Sequence, residues 1–141
     1  MISTKGRYAL RIMIDLAEHG GGEYIPLKAV AQRQEISLKY IERIMPLLTG
    51  AGLVEGVHGK GGGYRLTRSP EDYTALQILT AAEGELVPVA CLEPGAPACH
   101  RAADCRTLAV WRDYYKLTVD YFGAITLASL TGTDNAQDYV I

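Results

Sequence analysis

The 141-residue sequence lacks any apolar run long enough to cross a bilayer. A membrane-spanning helix needs about 18 consecutive apolar residues, and no stretch of the chain approaches that length. The N-terminal segment MISTKGRYAL also lacks the apolar core of a secretory signal peptide. These absences predict a cytoplasmic protein. The chain length predicts one compact unit, or one unit with a dimerisation extension, and excludes a large multidomain enzyme.

The sequence also lacks the patterns that most often identify an enzyme. In the segment HGKGGG, Lys60 is followed by Gly61 and a strand-like run, whereas a phosphate-binding Walker motif needs Ser or Thr and then a helix. A dinucleotide-binding G-x-G-x-x-G is absent because Tyr64 occupies the place of its last glycine. Cys99 and His100 are adjacent, so their side chains diverge and make a poor nucleophile and base pair. We therefore predict a protein that is not an enzyme.

The chain has no net positive charge, but its charges are unevenly distributed. Residues 1–68 contain ten Lys or Arg and six Asp or Glu, and residues 69–141 contain four and ten, so the two parts carry +4 and −6. A basic first half suits a DNA-facing surface, because Lys and Arg displace counterions from the phosphates. Chance clustering of solvated charges is the alternative.

Apolar spacing predicts a winged helix-turn-helix in the first half of the chain. A helix is expected over residues 3–18, a short one over 27–34, and a third from its N-cap at Ser37 to about Gly50. Two strand-like runs, LVEGVH and GYRLT, then form a glycine-rich hairpin, the wing. A fourth helix begins at a Thr-x-x-Gln capping box and ends near residue 83. The predicted fold class is mainly α with a small β-hairpin.

A long helix is predicted over residues 103–122, followed by a short one over 127–130. Its half-apolar stripe is expected to pack against a second copy of the chain, and the alternative folds the stripe back on the chain's own core. The stripe consists of Leu108, Trp111, Tyr115, Thr118 and Phe122. The predicted parts are a DNA-binding domain (1–83), a cysteine-bearing sensor loop (84–102), the dimerisation helix with the short last helix (103–132) and a tail (133–141).

The polar face of the third helix is the candidate reading surface. Leu38, Ile41, Met45 and Leu48 share one side of this helix, so its polar residues point the other way. The predicted contacts to base edges or phosphates are Ser37, Lys39, Tyr40, Glu42 and Arg43 in the helix, and His58, Lys60 and Arg65 in the wing. An ordinary amphipathic helix with a solvated face is the alternative, and the basic, glycine-rich wing favours DNA.

Three cysteines, Cys91, Cys99 and Cys105, fall within fifteen residues. An odd cluster of thiols in a reducing compartment suits a metal or redox site better than a disulfide framework. An iron-sulfur cluster, a zinc ion and a thiol sensor all fit the spacing Cys-x7-Cys-x5-Cys, and inert buried cysteines are a further alternative. A fourth ligand is missing, although His100 and Asp104 each neighbour a cysteine.

Several motifs together resemble the IscR, NsrR, RirA and CymR family of bacterial regulators. They are STKGRYAL, ISLKYIERI, AGLV followed by HGKGGGYRL, the cysteine loop and LAVWRD, in unbroken order over roughly residues 2–132. The resemblance implies a dimeric winged-helix protein that binds double-stranded DNA. It also implies that Cys91, Cys99 and Cys105 hold a [2Fe-2S] or [4Fe-4S] cluster, whose occupancy shifts the DNA-binding state.

The sequence departs from the branches of that family at the fourth cluster ligand. The IscR branch has a histidine three residues after the last cysteine, where this chain has Leu108, and the NsrR branch has an aspartate where Arg7 stands. The opening STKGRY and the closing DYVI resemble the CymR branch, which implies a contact between Ile141 and a cysteine synthase. We expect a homodimeric regulator that senses iron-sulfur status, oxygen, nitric oxide or iron. The alternatives are a cluster-free thiol-redox or cysteine-metabolism regulator and a protein-interaction adaptor.

Overall fold

The computed structural model describes residues 1–132, which form six α-helices and one antiparallel hairpin. In these residues, no helix combines the length and the apolar character needed to span a membrane. The elements are α1 (Thr4–His19), α2 (Leu27–Gln34), α3 (Leu38–Gly50), β1 (Val54–Val57), β2 (Gly63–Leu66), α4 (Ala75–Glu83), α5 (Leu108–Gly123) and α6 (Leu127–Leu130). The predicted winged helix-turn-helix, mainly α with a small hairpin, is confirmed.

One hydrophobic core holds the helices of the first half together with the end of the described chain. Each helix contributes apolar residues at spacings of three and four, so that one face is buried. Leu127 of α6 is completely buried in this core, far along the chain from the other members. Its other large members include Ile12, Met13, Leu16, Ile41, Ile44, Met45, Leu48 and Ile78.

A buried carboxylate fixes α1 against α2. Asp15 is fully buried, and its two oxygens accept hydrogen bonds from the Arg33 guanidinium at 3.0 and 2.7 Å. A third bond, from Gln34 Nε2, is 3.0 Å long. These partners satisfy a charge that would otherwise be costly to bury. These three bonds therefore join the buried side of α1 to the end of α2.

The loop between α1 and α2 anchors the base of the wing. Ile25 and Tyr64 exchange two backbone hydrogen bonds of 2.8 Å. This antiparallel β-bridge pairs the loop with strand β2 of the hairpin. Gly63, at φ 156°, lies so close that a Cβ there would be 2.2 Å from the Ile25 carbonyl oxygen. The Tyr64 ring covers Gly56 on the opposite strand. Only the tip of the wing is therefore free.

Tyr73 joins both legs of the wing to the segment after α5. The residue is fully buried, and its hydroxyl donates to the Leu53 carbonyl oxygen at 2.8 Å. The same hydroxyl accepts the backbone N–H groups of Thr67 and Arg68 at 2.9 and 3.0 Å. The Tyr73 carbonyl accepts the N–H of Leu127 at 2.9 Å. The start of β1 and the end of β2 therefore meet at the Tyr73 hydroxyl, and the start of α6 is bonded to the backbone carbonyl of the same residue.

Helix α5 begins at Leu108, so the predicted start at residue 103 was wrong by five residues. Residues 99–107 are all exposed and form short turns, because they have no apolar face to bury. The predicted stripe is half-buried within the single chain, where Tyr115 donates to Glu85 at 2.8 Å. The stripe therefore faces its own chain, the alternative weighed above. A different set of apolar residues on α5 is exposed, namely Val110, Tyr114, Leu117 and Tyr121.

We expect Tyr73→Phe to lower the free energy of unfolding by about 1–3 kcal/mol, because it leaves buried backbone groups without their hydrogen-bond partner. Urea denaturation followed by far-UV circular dichroism measures the change. Tyr114→Phe is the matched control, since this tyrosine is 45% exposed, and its effect is expected within about 0.5 kcal/mol. Equal effects of the two variants would contradict the role given to the Tyr73 hydroxyl.

Candidate nucleic-acid interface and cysteine site

The polar face of α3 lies on the surface, as its apolar spacing predicts. The Ser37 hydroxyl caps the helix by accepting the Tyr40 N–H at 3.1 Å. Lys39, Glu42 and Arg43 are exposed and share the outer side of the helix. Leu38 is only half-buried, while Ile44, which the predicted stripe did not include, is 1% exposed. The core therefore fixes α3 through its second and third turns and leaves the first turn accessible.

Tyr40 is partly engaged in packing between α1 and α3. Its ring meets that of Tyr8 edge to face, with centroids 5.5 Å apart. A cavity of about 190 Å³ beside it is lined by Tyr40, Arg43 and Lys5 of α1. Lys5 thus joins the basic surface of α3, and sequence reasoning missed it. Lys5 is three residues before Tyr8, so both lie on one face of α1. This spacing is the sequence signal that could have placed Lys5 beside α3.

The predicted wing residues differ in how free they are. His58 and Lys60 are exposed at the tip, where Gly59 and Gly61 have φ angles of 96° and 79° that favour glycine. Arg65 is half-buried at the base of the wing. Its guanidinium bonds Glu55 at 2.6 Å and lies 4.4 Å from the centre of the Tyr24 ring. The tip of the wing therefore offers free basic groups, whereas Arg65 already has partners within the chain.

Glu83 ties the end of α4 to the first turn of α1. Its carboxylate accepts the backbone N–H groups of Ser3 and Gly6 at 2.8 and 3.0 Å, and it also bonds the Ser3 hydroxyl. A Cβ at Gly6 would lie 2.9 Å from the Glu83 side chain, so the contact requires glycine. Burial raises the pKa of Glu83, but the hydrogen bonds and nearby Lys5 outweigh it and lower the pKa overall.

The three cysteines line one cavity of about 190 Å³ at the start of α5. All three are exposed free thiols. Leu108 and Arg112 of α5 complete much of the wall, whereas His100 and Asp104 are absent from the lining. A hydrogen bond with Thr107, 3.5 Å from the Cys105 Sγ to the hydroxyl oxygen, lowers the pKa of Cys105. The fold thus brings together thiols that are separated by seven and five residues in the sequence.

The thiols of this cavity are a ligand type that suits an iron-sulfur cluster. Within residues 1–132, no three His, Cys, Asp or Glu side chains converge in a way that would hold one ion. A cluster distributes its thiolate bonds over more than one iron, so its ligands surround a volume and need not converge on one point. Thiolates are also the ligands that such clusters prefer. Leu108 contributes no donor at the place where the resemblance puts a histidine.

The chain matches the family model of Rrf2, described as an iron-dependent transcriptional regulator, over residues 2–133. The protein belongs to the Rrf2 family. A protein of Neisseria meningitidis named as an HTH-type transcriptional regulator is 39% identical over 138 residues, which are 97% of this chain and 91% of that protein. The regulator IscR of Sodalis glossinidius is 34% identical over 99% of this Rrf2 chain and 83% of its own length.

The solved structures give the same result. CymR, titled the global cysteine regulator of B. subtilis, superposes with a TM-score of 0.75 at 33% identity, covering 92% of this chain and 95% of that one. The resemblance drawn from the sequence is therefore confirmed, and this Rrf2 protein is a transcriptional regulator, not an enzyme. Regulators of this family bind DNA. The individual DNA contacts and cluster ligands stay predictions.

We expect Glu83→Gln to remove a pH-dependent part of the stability of this Rrf2 protein. A carboxylate with a lowered folded-state pKa stabilises the fold above its unfolded pKa of about 4.3. That contribution is lost as the pH falls through the folded-state value. Urea denaturation between pH 7 and the acid limit of folding should therefore show the wild-type advantage shrinking with acidity. Glu93→Gln, at an exposed position, is the control, and a pH-independent difference between wild type and Glu83→Gln would contradict this role.

Proposed function

We propose that this protein is a homodimeric DNA-binding regulator whose affinity for its operator changes when an iron-sulfur cluster binds Cys91, Cys99 and Cys105. The observation that carries the proposal is that these three thiols line one cavity at the start of α5. Family members are regulators that bind DNA, and the iron dependence ascribed to the Rrf2 family supports an iron-containing signal.

The outer side of the first two turns of α3 and the tip of the wing are the proposed contacts to DNA. Lys39 and Arg43 are exposed and carry donors suited to guanine or phosphate, and Glu42 beside them accepts from cytosine. Ser37 and Tyr40 bond flanking phosphates, and Lys5 of α1 adds a further basic group. In the wing, His58 and Lys60 contact the backbone or the minor groove. Arg65, which is already paired with Glu55, supports the wing from its base.

The exposed apolar face of α5 is the proposed dimer interface. Val110, Tyr114, Leu117 and Tyr121 are 55%, 45%, 69% and 65% exposed and follow one another at spacings of four, three and four. Such a stripe lies along one side of a helix. A closed twofold dimer buries the same stripe of both copies, and it presents two reading helices to the two halves of a palindrome.

The chain itself connects the cysteine cavity to the reading surface. When bound, an iron-sulfur cluster would make the protein sensitive to iron supply, because the cluster cannot form without iron, and to oxidants, which degrade it. The thiols of the three cysteines hold it, and Leu108 leaves one side without a protein donor. The segment that carries the thiols begins next to Glu83, which bonds α1, and leads into α5. After α5, the first residue of α6, Leu127, donates its N–H to the Tyr73 carbonyl. Occupancy then shifts the population of α5 positions, and the wing and α3 follow.

A cluster-free thiol response of the same loop is the second candidate. It is favoured by the likeness to CymR, the global cysteine regulator of B. subtilis, and by three free thiols that line one cavity. In this case two of the thiols are oxidised to a disulfide, and an oxidant accepts the two electrons and two protons that they release. The predicted contact of Ile141 with a cysteine synthase lies outside the described residues and stays a prediction.

We expect Lys39→Ala and Arg43→Ala each to weaken binding to a palindromic duplex that the wild-type protein has selected from a random pool. Loss of a base contact costs about 1–3 kcal/mol of binding free energy. Loss of a phosphate contact lowers by about one the slope of the logarithm of the binding constant against the logarithm of the salt concentration. Fluorescence anisotropy at several salt concentrations measures both, and the same titration reports whether two chains bind each duplex. Lys116→Ala is the control on α5, where the lysine pairs only with Asp120 among the described residues. Unchanged affinity in both test variants would contradict the assigned face.

Anaerobic purification should give a coloured protein that contains iron and acid-labile sulfide. Each of Cys91→Ser, Cys99→Ser and Cys105→Ser is expected to lower the iron content, because a hydroxyl is a poor replacement for a soft thiolate. Ser129→Ala, at an exposed position of α6, is the control that leaves the cavity intact. Colourless, iron-free wild-type protein would contradict the cluster. A disulfide found by mass spectrometry in such protein would support the second candidate.

A further inference from the structure

One cation, Arg112, lines the cysteine cavity. Leu108 and Arg112 are four residues apart on α5, so they lie one above the other on the same side of the helix. Both belong to the wall formed with Cys91, Cys99 and Cys105. Arg112 is exposed, and among residues 1–132 it has neither an ion pair nor a side-chain hydrogen bond within the chain. Its guanidinium is thus available at the cavity.

The other arginines of the region are placed differently. Arg101 and Arg106 belong to the exposed turns before α5, and neither lines the cavity, although the positive charge of Arg101 is one of the smaller causes that lower the pKa of Cys105. Arg33 and Arg65, by contrast, have carboxylate partners within the chain. Arg112 therefore combines two properties that the structure gives to none of these four: an unengaged guanidinium and a place in the wall of the thiol cavity.

We infer that Arg112 is a positioning residue that would stabilise the negative charge of an iron-sulfur cluster held by the three cysteines. This inference rests on the proposed function. Three thiolates bring three negative charges into a small cavity, and a guanidinium offers five donors with a permanent positive charge. Charge and hydrogen bonds near the sulfur atoms are among the main determinants of cluster reduction potential.

The sign of the effect follows from the electron count. A one-electron reductant would make the total charge of the cavity with its cluster more negative by one. A fixed positive charge stabilises the reduced form more than the oxidised form. Removal of Arg112 should therefore shift the reduction potential to a more negative value, whereas Arg112→Lys, which keeps the charge but loses the fork of donors, should shift it less.

The test compares Arg112→Leu, Arg112→Lys and wild type in spectroelectrochemical titrations of the anaerobically purified proteins. Arg106→Leu is the matched control, because it removes the same charge one residue from Cys105 without altering the cavity wall. We expect a negative shift of the midpoint potential in Arg112→Leu, a smaller shift in Arg112→Lys and almost none in Arg106→Leu. Iron content and circular dichroism are recorded for every variant.

The outcomes separate this inference from the proposed function. If the wild-type protein contains the cluster but Arg112→Leu has the same midpoint potential, the role of Arg112 is overturned. The same holds if Arg106→Leu shifts the potential as much as Arg112→Leu does. Neither result contradicts the presence of the cluster. If folded Arg112→Leu holds no iron while Arg112→Lys and Arg106→Leu do, the loss itself supports a role in stabilising the cluster charge. Iron-free wild-type protein overturns both the cluster and this inference.

Discussion

The hydroxyl of Tyr73 is the contact on which the arrangement of the DNA-binding half depends. It lies in the core and satisfies three backbone groups from the two legs of the wing. Buried backbone groups need hydrogen-bond partners. If the legs of the wing moved away from Tyr73, these three groups would lose theirs. The wing is consequently a rigid projection of the core, fixed at its base by Ile25 as well.

The segment that carries the cysteines is attached to the DNA-binding half at both ends. At one end Glu83 bonds the first turn of α1, which also bears Lys5 of the basic surface. At the other end the turn after α5 pairs with the start of α4 and with the Tyr73 carbonyl. Packed elements of this kind shift between discrete positions more readily than they deform. A change at the thiol cavity therefore has two physical routes to the reading surface.

The sequence predicts most of the winged helix-turn-helix because its signals are local. The capping box of Thr74 and Gln77, the cap at Ser37 and the apolar spacing of α3 each act within a few residues and appear as expected. The start of α5 was predicted too early because residues 103–107 have helix-compatible composition but no surface to pack on. The sequence also does not show which side of α5 packs against the rest of the chain, since both sides of this helix carry apolar residues.

The contacts that join distant parts of the chain could not be predicted from the sequence. Glu83 lies 77 residues from Gly6, and the pairing of Ile25 with Tyr64 leaves no periodic pattern in the sequence. The same holds for Arg65, which looked like a free basic residue until its partner Glu55 was placed opposite it by the hairpin register. Local patterns reveal elements, but only the three-dimensional arrangement reveals which charges are already neutralised.

The close approach of Gly6 and Glu83 links the evolution of two positions that are far apart in the chain. A methyl group at position 6 would occupy the space of the glutamate stem, so a homologue that acquires alanine there must shorten or move the acid at the same time. The two positions should therefore be inherited as a pair. Their joint presence or loss can divide relatives into those that join the cysteine segment to the first helix in this way and those that use another connection.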